Sequence, residues 1–127
     1  MKFFLVKQLA LLLITISTFQ ACFAQDIPFV PPAFNYTTHN YNAGNQNWAV
    51  AQGRNRVIYV GNDYGLLSFN GVNWKLTPLP SHLSVKSIFI DHASGKEKIY
   101  VGSFEEFGFF QRDEKNELLY HSLKHLI

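Results

Sequence analysis

The chain has 127 residues, of which 47% are hydrophobic, 16% aromatic and 16% charged, with a formal net charge of +2. So many Phe, Tyr and Trp, with a charged fraction below the roughly 25% of an average soluble domain, exclude a disordered chain and a coiled coil. One cysteine excludes a disulfide framework; with Lys2 and Lys7 set aside, nine basic residues face nine acidic ones, leaving no basic excess to grip nucleic acid or an anionic membrane.

Residues 1–24 read as a signal peptide. Lys2 and Lys7 supply the positive start, Leu9 to Ile16 the apolar middle, and Cys22 and Ala24 the small residues for cleavage before Gln25. Thr15, Ser17, Thr18 and Gln20 interrupt the apolar stretch, which falls short of the ~20 residues that span a bilayer. An acylated Cys22 is the alternative start, although in Phe19-Gln20-Ala21-Cys22 only Ala21 suits a lipobox. Cleavage after Ala24 leaves a chain without cysteine, which suits an oxidising compartment such as a periplasm.

Residues 25–47 read as an irregular segment. Pro28, Pro31 and Pro32 stop a helix and lack backbone donors. Thr37, Thr38, Asn40, Asn42 and Gly44 point to loop or a short edge strand. Asn35-Tyr36-Thr37 has the N-glycosylation pattern, which matters only in a eukaryotic secretory pathway.

A repeat then decides the fold. Ile58-Tyr59-Val60-Gly61 recurs as Ile99-Tyr100-Val101-Gly102, a period of 41 residues. Each copy follows an apolar run and a polar turn, and precedes a Gly with two apolar residues, Gly65-Leu66-Leu67 or Gly108-Phe109-Phe110. Four strands are predicted per copy, at roughly 48–52, 57–60, 66–69 and 72–76, then at roughly 85–91, 98–101, 107–111 and 117–121. Asn70-Gly71 is predicted to turn the first outer hairpin as a type I′ turn, with φ > 0 at both residues. Arg112 to Asn116 makes the longer turn of the second. Only Leu119 to Ile127 could follow a helical period.

About 40–45 residues with four strands each is the arithmetic of a β-propeller blade. The predicted fold is therefore all-β: two four-stranded antiparallel blades, 48–80 and 81–127, of an incomplete propeller. A twisted sheet needs a neighbour on each face, so Val57, Tyr59, Ile99 and Val101 are expected between blades and Trp74 over the seam. Propellers need at least four blades, so the chain is expected to be the N-terminal part of a longer protein. A free-standing two-sheet sandwich is the alternative.

The candidate chemistry is thin. His121 and His125 stand four apart and could share a helix face as metal ligands, but no third ligand is near. Glu105-Glu106 suggests paired glycosidase carboxylates, yet adjacent strand residues point to opposite faces, and a solvated loop is the expectation. Trp48, Trp74 and Tyr64 could stack on a sugar, against a packing role between blades. No phosphate-binding loop, nucleophile elbow or Cys/His cluster occurs. No catalytic, metal or cofactor residue is assigned, and the chain is not expected to be an enzyme.

Ala43-Gly44-Asn45-Gln46-Asn47-Trp48, then Gly65-Leu66-Leu67-x-Phe69-Asn70-Gly71-x-x-Trp74, then Val101-Gly102 and Glu106-Phe107-Gly108 resemble the start of a known sensor region. It is that of the two-component regulator propeller / triple-tyrosine (Y_Y_Y) domain signalling proteins, nearest to those with a LuxR-type helix-turn-helix output. The resemblance covers most of residues 28–120. It implies an exported, periplasmic propeller that recognises an unknown ligand, glycan-derived ones included, and controls transcription through a membrane helix and an output domain, a helix-turn-helix or a histidine kinase. This chain carries no such later parts, so direct contact with nucleic acid is not expected from it. A secreted carbohydrate-binding or carbohydrate-active propeller is the alternative function.

Overall fold

The computed structural model describes residues 1–19, 30–80, 82–93 and 95–126. The cleavage position after Ala24 and the alternative Cys22 lie outside the described residues. The chain divides into two units, Met1–Ala33 and Phe34–Ile127. In the first, helix α1 (Lys2–Phe19) forms from a run with five Leu and two Lys, good helix formers. Its side chains are exposed as far as Ile14. No helix among the described residues is long and apolar enough to cross a membrane.

The second unit opens with a single helical turn, α2 (Thr38–Tyr41), where loop or edge strand was predicted. Local hydrogen bonding decides this: Asn40 Oδ1 accepts from the Thr37 amide at 2.7 Å and the Thr37 hydroxyl at 3.0 Å. Asn42 closes the turn in the left-handed region, at φ 48°.

Eight strands follow: β1 (Asn47–Gln52), β2 (Ile58–Asn62), β3 (Gly65–Phe69), β4 (Trp74–Thr77), β5 (Ser87–Asp91), β6 (Lys98–Gly102), β7 (Phe107–Arg112) and β8 (Leu118–Ser122). They form two four-stranded antiparallel sheets, β1-β2-β3-β4 and β5-β6-β7-β8, each in sequence order. The repeat keeps its register: Val60 pairs with Leu67 in the first sheet, and Val101 with Gly108 in the second. Leu119 to Ile127 holds no α-helix among the described residues: β8 runs to Ser122, and a short 3-10 turn follows at Lys124–Leu126.

Strand alternation sorts the repeat onto two faces. Tyr59 and Leu66 of the first sheet share one core with Ile99, Val101, Phe110 and Leu118 of the second, and Val57 packs at its edge. Val60 and Leu67 point the other way and are covered by Tyr41 and Trp74. The repeated glycine also has a steric reason. A Cβ on Gly61 would stand 2.6 Å from the Val85 carbonyl, and one on Gly102 would stand 2.5 Å from Ser87 Oγ. The chain entering the second sheet therefore crosses Gly61 where only glycine leaves room, whereas at Gly102 the Ser87 hydroxyl has room to rotate away.

One turn differs from its sequence expectation. The first hairpin turns on Gly71-Val72: Asn70 pairs with Asn73, and only Gly71 has positive φ, at 96°. The reason is that Asn70 Oδ1 accepts from the amides of Val72 and Asn73, at 3.0 and 2.8 Å, which holds Asn70 before the bend. Two consecutive residues of positive φ occur instead in the β1–β2 turn, at Asn55 (55°) and Arg56 (61°), inside a short 3-10 turn at Arg54–Arg56 closed by Val57 N–H to the Arg54 carbonyl. A branched-free but bulky Arg at left-handed φ costs about 1 kcal/mol, so Arg56→Gly should raise the midpoint of denaturant unfolding. The gain, net of glycine's unfolded-state entropy, should be up to about 1 kcal/mol. A loss of stability would show that the Arg56 side chain contributes more than its backbone strain costs.

Candidate functional site

The turn residues of both sheets meet at one end of the inter-sheet seam. They line a cleft of about 460 Å³ built by the β1–β2 and β3–β4 turns of the first sheet and the β5–β6 and β7–β8 turns of the second. Tyr59, fully buried, places its hydroxyl at the cleft. That hydroxyl donates to Glu97 Oε1 at 3.2 Å and accepts from Arg112 Nη2 at 3.3 Å. Glu97 Oε2 also accepts the Arg54 amide at 2.5 Å, and the Arg54 guanidinium donates to the carbonyl of His92 at 2.8 Å. Lys75 and Glu117 bridge the sheets at the rim, 2.6 Å apart and both exposed. Burial pushes the Tyr59 phenol above its ordinary value, and the Arg112 hydrogen bond works against that rise.

The β7–β8 turn presents Arg112 by its own geometry. Asp113 Oδ1 accepts from the amides of Lys115 and Glu117, Asn116 takes φ 64°, and Arg112 Nη1 donates to the Asn116 carbonyl at 2.9 Å. This is a three-residue hairpin loop with its last residue left-handed. The Asn116 carboxamide lines the cleft.

At the opposite end the features are different. A β-bulge in β1 leaves Trp48 between the pairs Asn47–Asn62 and Ala49–Gly61 and turns its indole outward, 47% exposed. Trp48 Nε1 donates to Asp63 Oδ1 at 2.8 Å, and Lys86 Nζ caps the ring 3.2 Å from its centroid. Of the aromatics proposed as a sugar platform, Trp74 is not there. It sits on the opposite edge strand, β4, stacked on Phe69 at 4.6 Å and close to Tyr36 and Tyr41. It therefore covers the outer face of the first sheet, not the seam between sheets. Tyr64 is exposed in the β2–β3 turn beside Asp63.

The other candidates are also dispersed. His121 of β8 stacks on Phe109 of β7, and His125 lies in the final 3-10 turn, so they share no helix face. Among the described residues no group of three His, Cys, Asp or Glu could hold a metal. Glu105 is exposed at φ 53°. Glu106 is not simply solvated: its Oε1 accepts from Ser122 Oγ at 2.6 Å and the Tyr120 hydroxyl at 2.8 Å.

The Ser122 and Tyr120 hydrogen bonds hold Glu106 below the usual carboxylate range, while burial and then Glu106 push the Tyr120 phenol up. A carboxylate lowered in the folded state contributes stability above its unfolded value near pH 4.3 and loses it as pH falls through the folded value. Glu106→Gln should therefore flatten the acid limb of a stability–pH profile below about pH 4.5. An acid limb unchanged by the substitution would remove Glu106 from that account.

Comparison with family models, with curated proteins and with solved structures finds no match in any of the three. The site therefore rests on its own residues. The Tyr59–Glu97–Arg112 junction was not foreseen. The only sequence signal for it is that each participant lies in or next to a turn of the 41-residue repeat.

Proposed function

We propose that the two sheets are consecutive blades of a β-propeller, exported from the cytoplasm, that recognises a ligand for a transmembrane transcription regulator. The observation that carries this reading is the inequivalence of two equivalent tyrosines. Tyr59 lies on the face of the first sheet that the second sheet covers, and it is fully buried. Tyr100 takes the same place in the repeat, and its face carries Phe89, Phe109 and Phe107 with Phe89 67% exposed. An aromatic sheet face of this kind matches what a following blade covers. The first strands of the two sheets, β1 and β5, lie against each other, as strands converging on a propeller axis do. Binding, not catalysis, is the role proposed.

Export is tested by cell fractionation and intact mass in the native host, where a chain beginning at Gln25 supports the reading and a cytoplasmic, uncleaved chain sinks it. The regulatory half is tested by transcript profiling of a strain carrying Tyr59→Ala. A discrete set of altered transcripts is expected; an unchanged profile with the protein absent would remove the regulatory role.

A further inference from the structure

The seam cleft holds polar groups that the fold does not use. Asn70, whose Oδ1 takes two backbone amides of its own hairpin, is fully explained by the turn. Asn73 and Asn116, one from each sheet, also line the cleft, and their carboxamides make no hydrogen bond among the described residues. Arg112 spends one N–H on the Asn116 carbonyl and another on Tyr59, out of the five that a guanidinium carries. The cations Arg54, Lys75 and Arg112 line the space, against Glu97 inside it and Glu117 paired to Lys75 at the rim.

We propose that this cleft binds a small polyhydroxylated organic anion, with its carboxylate on Arg112 and its hydroxyls on the carboxamides of Asn73 and Asn116 and on Glu97. Each part of that ligand answers a group in the cleft. Guanidinium N–H pairs match a carboxylate in geometry as well as charge. A carboxamide donates and accepts, as a hydroxyl does. Glu97 argues against a bare dianion, because a second negative charge would face its carboxylate, whereas a hydroxyl donates to it. The volume of about 460 Å³ lies within the range of small-ligand pockets. Both sheets contribute, so occupancy ties them together. The inference concerns the seam alone and holds whether or not further blades close a ring.

The test is calorimetric titration of the full chain with gluconate, with sorbitol as its neutral counterpart and with inorganic phosphate as an anion without hydroxyls on carbon. Gluconate should bind about ten-fold more tightly than either, the scale of one charge-assisted hydrogen bond. Arg112→Gln should weaken gluconate by about ten-fold. Because Arg112 also holds Tyr59, two milder variants locate the site independently. Asn73→Ala removes an exposed, unbonded carboxamide, and Asn116→Gly keeps the left-handed turn while removing the other. Each should weaken gluconate about three-fold, with the thermal midpoint little changed. Sorbitol binding as well as gluconate would overturn the role of Arg112. Phosphate binding as well would overturn the hydroxyl contacts. Absence of gluconate binding by the folded chain, or full binding by both asparagine variants, would overturn the site.

Discussion

Tyr59→Ala should cost about 4 kcal/mol or more and lower the thermal midpoint by about 15–30 °C, whereas Tyr100→Ala should cost about 1 kcal/mol. The two residues occupy the same place in the 41-residue repeat, on the same strand, before the same Val-Gly pair. Only the surroundings differ. Tyr59 is fully buried in the core shared by both sheets, so truncation leaves a cavity that close-packed neighbours fill only in part. It also removes the phenol that links Glu97 to Arg112, each of which keeps another partner, the Arg54 amide and the Asn116 carbonyl. Tyr100 is half-buried, and its ring meets Phe89, Phe107 and Phe109 on an open face. Tyr59→Phe separates the two contributions: it keeps the volume, removes the hydroxyl and should cost about 1–2 kcal/mol. Denaturant unfolding of the three variants checks this. Equal losses at Tyr59 and Tyr100 would mean that the sheets do not pack face to face in solution.

Asn62→Ala and Asn62→Asp should each cost about 3 kcal/mol, although Asn62 is small and polar. Asn62 is fully buried. Its Oδ1 accepts from the amides of Gly44 and Tyr64 at 2.9 and 3.0 Å. Its Nδ2 donates to the carbonyls of Gly44 and Gln46, at 2.7 and 3.1 Å, and to Asn47 Oδ1 at 2.8 Å. One carboxamide thus satisfies the segment that leads from α2 into β1. Alanine leaves the buried Gly44 N–H and C=O without partners, at about 1–3 kcal/mol each. Aspartate has nearly the same shape and turns the donor into an acceptor aimed at two carbonyl oxygens. Comparable losses in both variants, with faster exchange of the Gly44 amide, are expected. Asn62→Asp within about 0.5 kcal/mol of the parent would show that the network adds nothing net.

The sheets were legible in the sequence because strands, unlike sites, announce themselves locally. Ile-Tyr-Val-Gly twice at a fixed spacing, flanked by turn residues, predicts the second strand of each sheet and thereby the other six. The role of Asn62 was not legible: Asn-Asp-Tyr-Gly reads as a turn, and nothing local says that its carboxamide serves residues 15 to 18 positions upstream. The cleft was hidden for the same reason. Glu97 and Arg112 lie 38 and 53 residues from Tyr59, and only the stacking of the sheets brings them together. The displaced hairpin has a smaller cause. Asn-Gly is a strong turn signal, but the Asn side chain can cap the turn instead of entering it.

Each hydrogen-bonded ladder joins strands that are neighbours in sequence, so each sheet is a meander assembled from short loops. Closing such loops takes little entropy, and hairpins of this kind form within microseconds. The slow event is then the docking of two preformed sheets through Tyr59, Leu66, Ile99 and Phe110. Substitutions in the turns should therefore slow folding, whereas those in the shared core should mainly hasten unfolding. The lifetime of the folded chain is set at the seam between the sheets, and the speed of reaching it by how fully each sheet is formed when the two dock.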